Sequence, residues 1–302
     1  MDKIISILKP TGMTSNDVVG KARKILKIKK IGHTGTLDPD AAGVLPICIG
    51  RATKVSELIL NKEKSYLCEL TLGASTDTYD SSGEILFKAP DDFEYKEETI
   101  REAFKSQMGD IEQYPPKYSA LKVKGKRMCD LVRSGREDEI VLKPRKVTIK
   151  NIEILSIEGN KVRFYVECSK GTYIRSICYD IGEILGCGGH MSFLLRTSSG
   201  KFNLENSITF EELEKFVEEG TIEEHAFDID YTLDFYPKIV LRDNAVKYYS
   251  NGGIIESYRF NEKNYTDKDE YVRVYSHERF IGVGRLIREN GKVSVKSDKI
   301  FV

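Results

Sequence analysis

Hydrophobic positions along the chain recur at two periods, and the switches between them mark out the elements. Residues 4–8, IISIL, form a short apolar run that Lys9-Pro10 and a Thr-Gly turn bring to a stop, so they read as a strand. Val18, Val19, Ala22, Ile25 and Leu26 then fall at helical spacing. They predict a helix capped by Ser15 or Asn16 and running to Lys27, with a lysine-rich outer face. VLPICI (44–49) predicts a buried strand, residues 52–60 a short helix, and SYLCELTLG (65–73) an alternating strand. Residues 74–96 are polar and turn-rich, and residues 97–107 are helical. YSALKVKGKR (118–127) predicts a basic hairpin, and residues 128–134 a short helix. Two or three strands are expected between residues 140 and 168, around the turn EGNK. Ile174, Ile177, Cys178, Ile181, Ile184 and Leu185 then form one apolar stripe on a helix over 172–185, which GCGG ends. An acidic helix follows over 209–219. From about Pro237 short strands (KIVL, YVRVY, FIGVGRL, VSVK) alternate with Gly- and Asn-rich turns. The expected class is therefore α+β, with a larger domain at 1–235 and a small β-rich domain at 236–302.

The formal net charge is zero, but it is unevenly spread. Residues 1–55 carry ten Lys/Arg against four Asp/Glu, and residues 114–175 carry fifteen against seven. Residues 203–234 carry one Lys against eleven acids. Two basic blocks fit a surface that neutralises phosphates, and they fit equally a solvated surface with no partner. No apolar run approaches the roughly 20 residues a membrane span needs. The short apolar stretch after Met1 lacks a small-residue cleavage site, so the expectation is a cytoplasmic protein without a signal peptide. Six cysteines without a C-x-x-C pair suggest buried, reduced thiols, and four scattered histidines suggest no metal site.

One segment combines turn chemistry with an acid in apolar company: GHTGTLDPDAAGVLPICIG, residues 32–50. Its Asp38, between Leu37 and Pro39, could be a held and partly shielded reacting carboxylate, or could simply close an Asx-turn before proline. Asp40 reads as solvent-facing. Tyr173 and Arg175 in CSKGTYIRS suit a stacked base and a paired anion, or a core tyrosine and a surface arginine. Tyr66 sits on an alternating strand as a site or a core residue, and Lys9 marks a basic turn within reach of a phosphate.

These segments together resemble the bacterial tRNA pseudouridine-55 synthase family, known as TruB. GHTGTLDPDAAGVLPICIG is similar to that family's GHxGxLDPxAxGxLPxxxG motif, and KPTGMTSNDVV (9–19) to its N-terminal block. GRATKVSELIL, KSYLCELTLGASTDTYDSSG, GDIEQYPPKYSALKVKGKRMCDLVRSG and CSKGTYIRSICYDIGEILGCGGHMSFLLRT resemble four further blocks in order, covering residues 4 to about 200. The resemblance implies the pseudouridine synthase fold, a mixed and mainly antiparallel sheet with flanking helices, and a PUA-like RNA-binding module at the C-terminus. It implies a cofactor-free isomerase, requiring no protein partner, that converts uridine to pseudouridine at position 55 in the T-loop of tRNA; a monomer is expected. Asp38 would be the catalytic aspartate, and a neighbouring Arg175 would hold it ionised. His33 would occupy the space left by the flipped nucleotide, and Tyr66 would stack on the uracil. Tyr173 and Leu194 would line the base pocket, and Lys9 would be a basic substrate-binding position. The alternative is a non-catalytic RNA-binding or tRNA-folding protein on the same fold.

Overall fold

In a computed structural model, every residue is described except Asn61 and Lys124. Lys124, part of the expected basic hairpin, thus lies outside the described residues. The first part of the chain runs β1 (Ile4–Lys9), α1 (Ser15–Leu26), β2 (Ile31–His33), β3 (Ala42–Ile49), α2 (Ser56–Leu60) and β4 (Lys64–Leu72). A hairpin of β5 (Ala74–Thr76) and β6 (Ile85–Lys88) leads to α3 (Glu97–Ser106) and β7 (Gly109–Gln113). The small hairpin β8 (Lys122–Val123) and β9 (Lys126–Arg127) precedes α4 (Met128–Arg133), then β10 (Arg145–Glu158) and β11 (Lys161–Cys168). Next come α5 (Ile174–Leu185), β12 (Gly189–Ser199), β13 (Phe202–Asn203) and α6 (Phe210–Glu218).

Nine of these strands form one sheet in the order β1-β3-β12-β4-β11-β10-β7, with β2 beside β3 and β13 beside β12. Every pairing is antiparallel except β3 with β12. The apolar stripe of α5 covers one face, where Ile174, Ile177, Cys178 and Ile181 pack on Tyr66, Cys68, Leu70 and Phe164. Helix α1 covers the other end of the sheet through Val18, Val19 and Ala22 against Ile5, Ile7, Leu45 and Ile47.

The last part forms β14 (Lys238–Leu241), α7 (Asp243–Ser250), β15 (Ile254–Glu256), β16 (Phe260–Lys263), β17 (Tyr271–Ser276), β18 (Arg279–Glu289) and β19 (Lys292–Ile300). Its six strands make a second sheet around its own core of Ile239, Tyr249, Val272, Val274 and Val295. Val283 and Phe301 of this sheet pack with Val44, Val55, Phe202 and Leu233.

The departures from the sequence expectation have local causes. The cap of α1 is Thr14, in a reciprocal capping box with Asp17. Ser15 is unavailable because its hydroxyl is engaged with the backbone of Leu37. Residues 52–60 split into a 3₁₀ turn, Gly50–Val55, and the short α2. Ile184 is 54% exposed. At 100° per residue it lies about 80° from the centre of its stripe, so it falls off the buried face. Strand β12 was not expected, yet it is central. Bulges between Met191 and Phe193 and between Arg196 and Ser198 break the alternation that would have revealed it. Within the polar segment 74–96 the hairpin β5–β6 forms, and α7 lies within the expected β-rich stretch.

The parallel contact of the nine-stranded sheet has a backbone requirement. Gly43 has φ +109°, and a Cβ there would collide with the backbone of Arg196 on β12. Gly43→Ala should therefore destabilise the fold by about 2–4 kcal/mol. Thermal unfolding should show this as a fall in Tm of roughly 5–15 °C.

Candidate active site

Between β2 and β3 the chain makes a loop that carries Asp38, and nearly every turn of that loop is tied down from beneath. The Ala41 amide donates to the Asp38 carbonyl at 3.1 Å, closing a turn with Pro39 at the position where its fixed φ is favoured. The Gly12 amide donates to the Pro39 carbonyl at 2.9 Å. The Leu37 amide donates to Ser15 Oγ at 2.9 Å. Lys9 Nζ donates to the carbonyls of Pro39 at 3.0 Å, Ala41 at 2.5 Å and Pro10 at 2.9 Å. Lys9 is 1% exposed, and burial lowers its pKa to about 8 against the raising influence of Asp38 and Asp40. Lys9, expected as a substrate-binding position, is placed beneath the loop with its ammonium donating to these three carbonyls.

Arg175 stands in the first turn of α5, two residues after the N-cap Tyr173. Gln113 clamps the backbone of Tyr173 from both sides, accepting from its amide at 2.8 Å and donating to its carbonyl at 3.0 Å. The buried Arg175 guanidinium then reaches Asp38. Nη2 donates to Asp38 Oδ1 at 3.2 Å, and Nε lies 2.9 Å from Oδ2 but without a well-aligned N–H. The same guanidinium donates to Asp80 Oδ2 at 3.3 Å and to the carbonyls of Thr78 and Tyr118, each at 3.0 Å. The Asp38 side chain keeps 36% of its surface open. Its protein surroundings nonetheless push its carboxyl up from the ordinary value. Burial is the largest cause, Arg175 pulls it back, and Asp80 adds to the lift. Arg175 therefore tempers the rise without reversing it, a weaker hold on the ionised form than the sequence suggested. Asp40 is exposed, as expected.

Two cavities meet at this pair. One, of about 310 Å³, is lined by Asp38, Arg175, Tyr66, Tyr173, Leu194, Leu37, Lys64 and Arg196. The other, of about 690 Å³, is a groove lined by His33, Asp38, Asp40, Asp80, Arg127, Arg133 and Arg175. Five of the seven residues selected from the sequence thus share the smaller cavity, and His33 lies in the groove beside it. Burial lowers the pKa of His33, with the Arg196 charge acting in the same direction, so the imidazole stays neutral at pH 7. Tyr66 is buried on β4, opposite Arg196 on β12, and burial raises its hydroxyl to about 12. Burial also raises Tyr173.

Sequence reasoning missed four contributors. Asp80 and Gln113 hold the machinery, and Arg196 and Lys64 line the smaller cavity. The TDTYD run carried a signal, because Asp80 Oδ1 also accepts from Thr78 Oγ1 at 2.7 Å and Ser82 Oγ at 2.6 Å. Arg196 could have been flagged as a charge inside an apolar segment, FLLRT. Among the described residues no group of three or more His, Cys, Asp or Glu is placed to hold a metal ion. Nor is any helix long and apolar enough to cross a membrane.

Comparisons with known proteins cover the same part of the chain. Residues 23–174 match the sequence model for the TruB family pseudouridylate synthase N-terminal domain. Residues 175–235 match that for the tRNA pseudouridylate synthase B C-terminal domain. The chain is 68% identical over 302 residues to the tRNA pseudouridine synthase B of Clostridioides difficile (strain 630), covering 100% of both chains. It is 48% identical over 295 residues to the protein of that name from Alkaliphilus oremlandii (strain OhILAs), covering 96% of this chain and 95% of that one. Among solved structures, a chain of a Cbf5-Nop10-Gar1 complex superposes with a TM-score of 0.76 at 30% identity, covering 99% of this chain and 85% of that one.

Proposed function

The chain belongs to the TruB family of pseudouridylate synthases, and we propose that it isomerises uridine to pseudouridine at position 55 in the T-loop of tRNA. The observation that carries this reading is the Asp38–Arg175 pair at the mouth of a cavity walled by Tyr66, Tyr173 and Leu194. In the reaction the N1–C1′ bond of uridine breaks, the uracil turns, and its C5 bonds to C1′ while C5 loses a proton and N1 gains one. No atom is gained and no electron is transferred overall. What the protein must supply is a carboxylate at the sugar, a surface that holds the loose base, and exclusion of water.

A stacked uridine cannot reach such a cavity, so the nucleotide must be everted at a cost of a few kcal/mol. Stacking on Tyr66 returns about 1–3 kcal/mol. Leu194 and Tyr173 pack the remaining faces of the base, and neutral His33 fills the space the base vacates in the RNA. Tyr66→Leu should accordingly lower kcat/KM by about 5- to 150-fold, the equivalent of that stacking energy, in a steady-state assay on unmodified tRNA.

The basic residues of 1–55 and 114–175 would meet the phosphates of the T stem-loop, which is read by shape and by its splayed loop bases. We read residues 1–235 as the catalytic domain and 236–302 as a PUA-like RNA-binding module. Support comes from the separate six-stranded sheet beginning at Lys238 and from the family matches ending at residue 235. The enzyme would work as a monomer without protein partners.

The test is to incubate the purified protein alone with an unmodified tRNA transcript and map pseudouridine by position. Conversion at the T-loop uridine is expected. Binding without conversion would favour the tRNA-folding alternative.

A further inference from the structure

We propose that Arg196, with Lys64 beside it, forms a cationic floor in the smaller cavity that takes up the negative charge of the uracil as its N1–C1′ bond breaks. This deepens the isomerase reading and rests on it. Arg196 is 1% exposed. Its Nε donates to the Val44 carbonyl at 2.7 Å and its Nη2 to the Gly35 carbonyl at 3.3 Å. It also borders the Tyr66 hydroxyl. Lys64 is likewise buried, with Nζ donating to the carbonyls of Leu60 at 2.8 Å and Lys62 at 2.5 Å. The two cations flank the same piece of backbone. A Cβ on Gly35 would lie 3.7 Å from Arg196 Nη1 and 3.8 Å from Lys64 Cε.

Neither side chain forms an ion pair with a carboxylate among the described residues. The contrast with Arg175 is direct, because Arg175 faces two carboxylates. Neutral carbonyls accept from Arg196 and Lys64 but leave two buried charges of the same sign uncompensated, which is costly for the fold. Such an arrangement is suited to an anion that arrives only during turnover.

The chemistry provides one. Heterolysis of N1–C1′ sends the bonding pair into the pyrimidine, where it spreads over N1, O2 and O4. The charge is discharged when C5 bonds to C1′, after which C5 loses its proton and N1 takes one up. A fixed cation beside a ring oxygen stabilises that anion more than the neutral base, and so accelerates the step. A backbone phosphate is the other anionic oxygen in the RNA. It is bulky and hydrated, and would meet the rim of the cavity rather than a guanidinium buried beside Tyr66.

The experiment compares Arg196→Met with the unaltered protein on two T-arm RNAs, carrying uridine or 5-fluorouridine at the target. Loss of the intact N-nucleoside is followed under single-turnover conditions. Fluorine withdraws electrons and stabilises the departing uracil anion by itself. The expected loss is about 100-fold on uridine, in the range seen on removing one anion-stabilising donor, and about 10-fold or less on 5-fluorouridine. RNA affinity should stay within about two-fold.

Equal losses on both RNAs would overturn the proposal in favour of a purely structural arginine. Weaker RNA binding with a salt slope reduced by about one would overturn it in favour of a phosphate site. If Arg196→Met does not fold, Lys64→Met reads the same ratio, with a smaller loss on 5-fluorouridine again expected. An unaltered protein inert on both RNAs would overturn the isomerase reading and this proposal with it. An active one showing equal losses overturns this proposal alone.

Discussion

Asp38→Asn is expected to abolish pseudouridine formation, lowering the single-turnover rate by at least about 10⁴-fold, while tRNA affinity stays within about three-fold. Asparagine matches aspartate in shape. The contacts that shape the loop are backbone ones, from Ala41 to Asp38 and from Lys9 to Pro39 and Ala41, so they survive the change. What disappears is an ionised oxygen able to act on the sugar or the base. The same variant should be no less stable than the parent at neutral pH, and the sign follows from the pKa. Burial lifts the Asp38 carboxyl above its ordinary 3.8 despite the pull of Arg175. Folding therefore favours its protonated form, and ionised Asp38 costs stability at pH values above that range. Removing the charge relieves the cost at pH 7, and the advantage should vanish as the pH falls below 3.8 and the parent also becomes neutral. Paired melting curves across pH, set beside rates and filter-binding isotherms, check all three statements. The raised pKa also places the acid limb of the parent's rate profile above the ordinary carboxylate range.

Arg175→Met should damage both stability and activity, which separates it from Asp38→Asn. The guanidinium is 6% exposed and joins Asp38, Asp80 and the carbonyls of Thr78 and Tyr118. Without it two carboxylates face each other and two carbonyls lose their donor. Breaking a buried charge network of this kind costs about 3–5 kcal/mol, a Tm decrease of roughly 6–20 °C. The rate should fall by about 10²–10³-fold at neutral pH, because the Asp38 carboxyl rises further and its position is no longer fixed. Raising the pH should recover part of this loss in the variant, with the acid limb displaced upward relative to the parent. A rate deficit independent of pH would show that Arg175 only positions the loop.

Much of this arrangement was legible in the chain, for identifiable reasons. The strand–turn–helix run of residues 4–26 is short-range and strongly patterned, and β1, α1 and β4 fall within a residue or two of expectation. Asp38, Tyr66, Tyr173, Arg175 and Leu194 could be singled out through the family resemblance, while their local chemistry left bland readings open. Their convergence on one cavity depends on tertiary packing that no local pattern encodes. Lys9 was expected at a basic turn within reach of a phosphate, and the chain gives no sign of its burial. Its burial is decided by three carbonyls that only the folded loop brings together. Strand β12 stayed hidden because its two bulges interrupt the period of two, although Leu194 and Arg196, two residues apart between them, both line the cavity. Asp80 and Gln113 were missed for a related reason: their partners lie 95 and 60 residues away in sequence.

The most direct measurement is a crystal structure of the protein bound to a T-arm RNA carrying 5-fluorouridine at the target position. The expected result is a pyrimidine everted from the RNA and seated in the 310 Å³ cavity against the Tyr66 ring, with its sugar at the Asp38 carboxyl. A target base still stacked within the RNA, or one held on another face of the protein with the cavity vacant, would contradict the assignment of this cavity as the active site.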